Sequence, residues 1–461
     1  MKTATFLFIA AIAAAGNPPS PKPNVPIPDR FRHQPAAAES VARTEWWKAF
    51  GDPLLDSLMD RASHANLSVR AAAARFAEAQ ALRGQARSAL LPDLSGTTST
   101  TRVRGGYSQG VVRAGSGSLI APFETSVLSG GFNMRWELDV FGGARKESRA
   151  AASDADAANA AIADAQSIVR SEVARNYIEM RGAQEQSSIV RANVEAERQM
   201  LELIRVRADA GLASDLDVER QASQLASVQA LLPDLDTERL RAAHRIAVLL
   251  GEEPAALLAD LEKDAQPLVE PPIPAAAPSE LLKRRPDVRR AEFEIAAAYA
   301  RAGAARADLY PKFVITGLSG RQGTDLSGLT LGAGNFFSVG PGVSLPIFNG
   351  GRIRSNIAAR DARLEQALRA YESDVLAAFE ETENAFVARD RAELKRKDLL
   401  AGFQAASRSV ELAQELYLRG LADFLTVLDA QRQRFQTERE LAASRTAVLS
   451  SGVALCKALG E

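Results

Sequence analysis

The sequence predicts an α+β membrane protein built by internal duplication, each copy supplying one β-hairpin and one very long helical hairpin. Three observations predict it. Landmarks recur at steady offsets. Val69-Arg70 returns as Val288-Arg289, and Leu91-Pro92 as Tyr310-Pro311, at 219; Val140-Phe141-Gly142-Gly143 returns as Ile347-Phe348-Asn349-Gly350 at 207. Gly211-Leu212-Ala213 matches Gly420-Leu421-Ala422, and Leu250-Gly251 matches Leu459-Gly460, at 209. The drop of 12 falls inside one loop, where a duplicated unit tolerates insertion. Within each copy the hydrophobic period then switches from two to helical. Finally, no proline lies between Pro122 and Pro233 or after Pro346, so two stretches rich in good helix formers can run long.

Residues 1–16 read as a secretory signal: Lys2 gives a positive start and Phe6 to Ala15 is apolar, too short to span a bilayer as a helix. Cleavage near Ala15 or Gly16 leaves a Pro-rich extension over 17–45. No later stretch reaches the run of about 18 apolar residues that a spanning helix needs, which excludes a helical membrane protein. The first repeat then occupies 46–251, with a β-hairpin at about 93–140 and a helical hairpin at about 144–250 whose tip is near 211. An inter-repeat segment covers 252–285. The second repeat, 286–461, has its β-hairpin at about 312–347 and its helical hairpin at about 351–460, with a tip near 420.

In the first copy Phe132, Met134, Trp136, Leu138 and Val140 alternate with Asn133, Arg135, Glu137 and Asp139, a strand with one apolar and one polar face. In the second, Phe337, Val339, Val343, Leu345 and Ile347 alternate with Ser338, Gly340, Gly342 and Ser344. Weaker partner strands precede them at 93–104 and 312–321, joined by loops expected at 105–128 and 322–335. Ala144 to about Ala210 reads as one helix of about 100 Å at 1.5 Å per residue. Each long helix is expected to break once, at Gly211 or Gly420, where glycine suits the left-handed residue past a helix end. Strands of about ten residues have bilayer length, but four cannot close a barrel and an open edge is not tolerated in lipid. Several protomers must therefore share one.

These residues resemble the TolC-type outer-membrane efflux channels, in the branch paired with resistance-nodulation-division (RND) pumps. Trp46-Trp47-Lys48-Ala49-Phe50-Gly51-Asp52-Pro53-Leu54-Leu55 resembles its N-terminal signature, Leu345-Pro346-Ile347-Phe348-Asn349-Gly350-Gly351-Arg352 its strand-to-helix junction, and Leu425-Thr426-Val427-Leu428-Asp429-Ala430-Gln431-Arg432 the segment past its second tip. The resemblance implies a homotrimer whose four strands per protomer form one 12-stranded transmembrane β-barrel, continued by a long periplasmic α-helical barrel. It implies a passive exit duct for small molecules, in partnership with a periplasmic adaptor, an inner-membrane RND pump and outer-membrane lipid. Many members carry a lipidated cysteine at the signal cleavage site. Asn17 stands there here, so no lipidation is expected.

The same resemblance puts the periplasmic gate at Leu425, Asp429 and Arg432; spacing alone places Asp429 and Arg432 on one helix face and favours an ordinary solvated surface pair. In the first copy Leu216, Arg220 and Ser223 occupy these places, so the acidic-basic pair belongs to the second half. The adaptor is expected at the hairpin tips, on Arg207, Gly211, Leu212 and Ala213 and on Arg419, Gly420, Leu421 and Ala422. Phe132, Met134, Trp136, Leu138, Phe337, Val339, Val343 and Leu345 are expected to face lipid.

Other classes find little support. A net charge of −1 with no basic run gives no footprint for nucleic acid. The single Cys456 permits no internal disulfide, and His33, His64 and His244 have no metal-ligand spacing. No phosphate-binding loop or nucleophile elbow is present. We therefore expect no catalytic residues, metal or cofactor. A type I protein-secretion channel is opposed by the Trp46-Trp47 signature. A periplasmic adaptor or coiled-coil scaffold is opposed by two hairpins in place of one.

Overall fold

The computed structural model describes residues 24–34, 45–105, 111–114, 117–120, 123–262, 267–273, 277–323 and 334–460. The expected signal, Asn17 and most of the Pro-rich extension lie outside them. Two compact units are present, one holding Ala77–Ala157 and Glu292–Ala370, the other Asn24–Phe76, Ala158–Ala291 and Tyr371–Glu461.

The first unit holds the strands β1 (Asp93–Gly105), β2 (Val111–Ala114), β3 (Gly117–Ile120), β4 (Phe123–Leu138), β5 (Lys312–Gly323) and β6 (Asn335–Ser344). Among the described residues β1, β4, β5 and β6 form one antiparallel sheet in that order, and β2 pairs with β3 alone. Two expectations change here. Much of the segment read as a loop from Gly105 to Leu128 is strand: β1 pairs with β4 all the way from Asp93↔Arg135 to Gly105↔Phe123. Alternation had marked only Phe132 to Val140, because Ser129, Gly130 and Gly131 interrupt it just upstream. Leu345, expected to face lipid, lies one residue beyond the end of β6, before Pro346, which lacks the N–H to extend the ladder.

Ladder register gathers the other apolar positions on one face. Leu94, Met134, Gly317 and Val339 stand opposite one another in a row across the sheet, as do Gly96, Phe132, Ser319 and Phe337. Trp136, Ile315 and Pro341 make the next row, and Leu138, Phe313 and Val343 the last. The opposite face carries Thr97, Asn133, Arg135, Glu137, Thr316 and Ser338. Where β4 meets β5 the backbones come very close. A Cβ on Gly131 would lie 2.5 Å from the Ser319 carbonyl oxygen, and one on Gly320 would lie 2.5 Å from that of Gly130 and 2.6 Å from Phe336 Cζ. Only glycine fits there.

The helices are α1 (Pro53–Ala65), α2 (Leu67–Ser88), α3 (Gly143–Asp209), α4 (Asp215–Gln229), α5 (Leu232–Leu249), α6 (Leu258–Leu261), α7 (Pro278–Arg284), α8 (Pro286–Ala307), α9 (Arg352–Leu418) and α10 (Phe424–Ala458). No helix is long and apolar enough to cross a membrane. In the first unit α3 and α8 bury small residues, Ala150, Ala151 and Ala155 on one and Ala297, Ala302 and Ala305 on the other. Arg301 pairs there with Asp154, and Arg306 with Asp361 on α9.

A third expectation also changes. The first helical hairpin is interrupted twice, at its tip and again at Ala230-Leu231 between α4 and α5. Pro233 explains it: with no N–H, and a ring that clashes with the carbonyl four residues back, proline starts a helix rather than continuing one. The second copy has Ala442 at the equivalent place, and α10 runs unbroken.

In the second unit, Trp46, Trp47 and Phe50 pack with Leu55, Leu58, Met59, Val173, Tyr177, Met180, Ile246 and Leu250 in the largest core cluster. The Trp46–Leu55 signature is thus a structural keystone. Asp52 accepts from Leu54 N at 2.9 Å to cap α1, and also from the Tyr177 hydroxyl. Burial and the Asp52 hydrogen bond hold that phenol protonated, well above its ordinary pKa.

The duplication is visible in two matching clasps. Asn66 Nδ2 donates to Leu249 O at 2.7 Å, and Arg285 Nη1 donates to Ala458 O at 2.9 Å. Asn66 and Arg285 are 219 apart, and Leu249 and Ala458 are 209 apart, so each repeat closes its returning arm onto the start of its second short helix. Gly251 (φ 74°) and Gly460 (φ 76°) end those arms in the left-handed region.

Candidate gate, docking tips and membrane face

Both hairpin tips are built by the same local chemistry. In the first, Leu212 N donates to Arg207 O at 2.8 Å and Gly211 N to Ala208 O at 2.9 Å; in the second, Leu421 N donates to Leu416 O at 2.9 Å and Gly420 N to Tyr417 O at 3.0 Å. These are Schellman closures, and the glycines supply φ of 72° and 75°. The next helix is capped at once. Ser214 and Asp217 form a reciprocal capping box on α4, while Asp423 accepts from Thr426 N at 3.0 Å and from its hydroxyl at 2.6 Å. Those Thr426 hydrogen bonds hold the Asp423 carboxyl below the usual carboxylate range.

Exposure then separates the tip residues. Leu212 and Leu421 are exposed, as are Leu216 and Leu418 beside them. Arg419 is exposed and pairs with Glu415. Ala422 is half-buried. Arg207 does not project freely: its guanidinium lies 4.8 Å over the Tyr417 ring, joining the tips of the two hairpins. Ala213 packs on Ile204, Phe424 and Leu428, the small core beneath the tips.

On α10, Leu425, Asp429 and Arg432 are all exposed. No ion pair joins Asp429 to Arg432 among the described residues. Arg432 Nε instead donates to Oε1 of buried Gln224 on α4 at 2.7 Å. Sequence reasoning missed Gln224, since a glutamine carries no signal until its neighbours are known. It missed the Asn66 and Arg285 clasps too, although the 219 offset linked those positions. Arg285 is mostly buried and also bonds Asp287 and Glu381, each at 2.7 Å, while Lys457 holds Glu381 at 2.9 Å. Glu381 is thus a structural ion-pair residue.

An apolar sheet face, two sheet edges unpaired among the described residues, and helical hairpins far longer than a globular core needs define a channel subunit that crosses a membrane on its strands. By sequence the chain belongs to the outer membrane efflux protein family, which matches residues 58–252 and 277–461. It is 32% identical over 455 residues to the pyoverdine export outer membrane protein OpmQ of Pseudomonas aeruginosa, spanning 97% of this chain and 94% of that one. It is 31% identical over 433 residues to the toluene efflux pump outer membrane protein TtgF of Pseudomonas putida, spanning 93% and 87%. Among solved structures it resembles the outer-membrane channel OprN, with 30% identity, a TM-score of 0.85 and coverage of 97% of this chain and 99% of that one. The open MtrE channel of Neisseria gonorrhoeae gives 25% identity and a TM-score of 0.82, spanning 96% and 98%. The chain is an outer-membrane efflux channel protein with the α+β fold of these channels, and the adaptor and scaffold readings fall away.

Proposed function

We propose that three copies assemble into one 12-stranded barrel in the outer membrane, continued by a helical tunnel, as the passive exit duct of a tripartite RND efflux system. The observation that supports this most is the sheet itself: four strands, apolar on one face, with β1 and β6 unpaired at its edges. Lipid tolerates no unpaired edge, so neighbouring copies must supply the missing pairing. Phe132, Met134, Trp136, Leu138, Phe337, Val339 and Val343 then face lipid, and the polar face lines the pore. Barrel contact alone anchors the protein, without N-terminal lipid.

In this reading an adaptor meets the exposed tip residues Leu212, Arg419 and Leu421, and three copies of Leu425, Asp429 and Arg432 narrow the periplasmic end. The relatives' cargoes differ, pyoverdine for one and toluene for another, which suits a duct that leaves selection to its pump. The test is the state of the protein in outer-membrane fractions: unheated detergent samples should run as trimers and conduct ions in planar bilayers. A monomer without conductance would sink the proposal.

A further inference from the structure

The first helical hairpin carries a polar layer where its packing pattern calls for apolar side chains. On α3 the buried seam Val190, Val194, Glu197, Leu201 and Ile204 advances in alternating steps of four and three residues, the spacing of packed coiled helices. On α4 the matching seam is Val218, Gln221, Leu225, Val228, Leu232 and Leu235, and on α10 it is Phe424, Leu428, Gln431 and Phe435. Each helix breaks its apolar seam once, and along all three chains the break falls between the same two clusters. Val190, Val194, Val228, Leu235 and Phe435 form one of them; Ile204, Phe424 and Leu428 form the other.

The layer is buried: Glu197 is 4% exposed, Gln221 0% and Gln224 7%. Gln221 Nε2 donates to the Glu197 carboxyl and, at 3.1 Å, to the Glu197 backbone carbonyl. One turn further along α4, Gln224 Oε1 accepts from Arg432 Nε. Among the described residues no ion pair reaches Glu197, and Gln221 Oε1, Gln431 Oε1 and Asn193 Nδ2 are buried without hydrogen-bond partners. Such a layer costs stability, since buried polar atoms left unpaired forfeit their hydration. Well-packed apolar side chains would serve a purely structural joint better. The second hairpin has that alternative: at the same distances from its tip glycine stand Ala406 and Ala430.

We propose that the Glu197–Gln221 pair is a positioning lock for the periplasmic gate. The pair admits one register of α4 on α3, because a shift by one seam position would bury both polar groups against apolar neighbours. That register sets where Gln224 stands, and Gln224 holds the Arg432 guanidinium through its Nε. Glu197 and Gln221 act only through Gln224 and are therefore positioning residues. The first repeat, which lacks the acidic-basic pair, contributes instead the lock that orients the arginine of the second.

This inference rests on the proposed gate, and a pair of leucines separates the two. Glu197→Leu combined with Gln221→Leu puts an apolar layer in place of the lock. The double variant should melt in detergent at the parent temperature or above, because apolar packing replaces a buried polar pair. Its single-channel conductance in planar bilayers should nonetheless rise toward that of Arg432→Ala. In an Arg432→Ala background the same leucines should add no further rise, since no guanidinium is left to position. Glu197→Gln, which still accepts from Gln221, should conduct as the parent does. Parent conductance in the double-leucine variant would overturn the lock, as would a rise that comes with earlier melting, the mark of a purely structural role. A full further rise over Arg432→Ala would sink it too. If Arg432→Ala itself leaves conductance unchanged, the gate reading falls and takes the lock with it. If that variant conducts more and the leucines change nothing, the lock alone fails.

Discussion

Arg432 Nε donates to Gln224 Oε1 at 2.7 Å, so the arginine proposed for the gate is held by its own chain rather than by Asp429. Asp429, exposed on the same helix, is left to meet a neighbouring copy. Asp429→Ala should therefore raise single-channel conductance with little effect on protomer stability, since exposed charges are worth under about 1 kcal/mol. Arg432→Ala should raise conductance too, and Gln224→Leu should do so more weakly by freeing the guanidinium. Planar-bilayer recording decides, and unchanged conductance in Asp429→Ala would remove that residue from the gate.

Gly131 and Gly320 let β4 and β5 approach more closely than any side chain permits. Gly320→Ala should cost about 1–3 kcal/mol, as overpacking does elsewhere, and Gly131→Ala a similar amount. Gly340→Ala should be mild, because nothing lies within 4 Å of the added carbon. Thermal unfolding of the detergent-solubilised channel checks the ranking; equal effects at Gly320 and Gly340 would contradict the close seam.

Acid should loosen the second clasp. Burial pushes the Asp287 and Glu381 carboxyls up, but the Arg285 guanidinium, joined at Glu381 by Lys457, outweighs it and holds both below their usual range. A depressed carboxylate contributes its stability fully above its unfolded pKa and loses it as pH falls through the folded one. Stability should thus fall as pH drops below the ordinary carboxylate range. Arg285→Met should cost about 2–3 kcal/mol at neutral pH, less than the ~3–5 kcal/mol of a fully buried pair because Glu381 is partly open to solvent. In that variant the acid-dependent loss should shrink; an unaltered pH profile would show that Arg285 does not set it.

At the tips, Leu212→Glu and Leu421→Glu place charge on exposed apolar positions outside the small core below. Trimer yield and bilayer conductance should stay as in the parent, while efflux measured in cells falls. Full efflux in the double variant would exclude these leucines from adaptor contact.

Much of this was legible before folding. The repeat offsets located both tips and the two hairpins, because glycines at left-handed turns and alternating strands leave signals at fixed spacing. Residues 123–128, strand in the structure, were read as loop because the clear alternation of apolar and polar residues begins only at Phe132. The break at Ala230-Leu231 is set by Pro233 at the start of α5, but helix-forming residues on both sides of it read as one continuous arm. Partners such as Gln224 for Arg432, or Tyr417 for Arg207, depend on which helix faces meet, and no spacing within one helix encodes that.

The clasps bear on how the chain reaches its folded state. Asn66 lies 183 residues from its acceptor and Arg285 lies 173 from its own. Helices form from local contacts in about 0.1–1 μs, whereas closing such distant pairs is what slows folding. The first repeat can close once Leu249 has been delivered, while the second must await Ala458, 209 residues further on. A chain cut short before Ala458 is thus left with one repeat finished and the other unable to finish, its apolar surface open to aggregation.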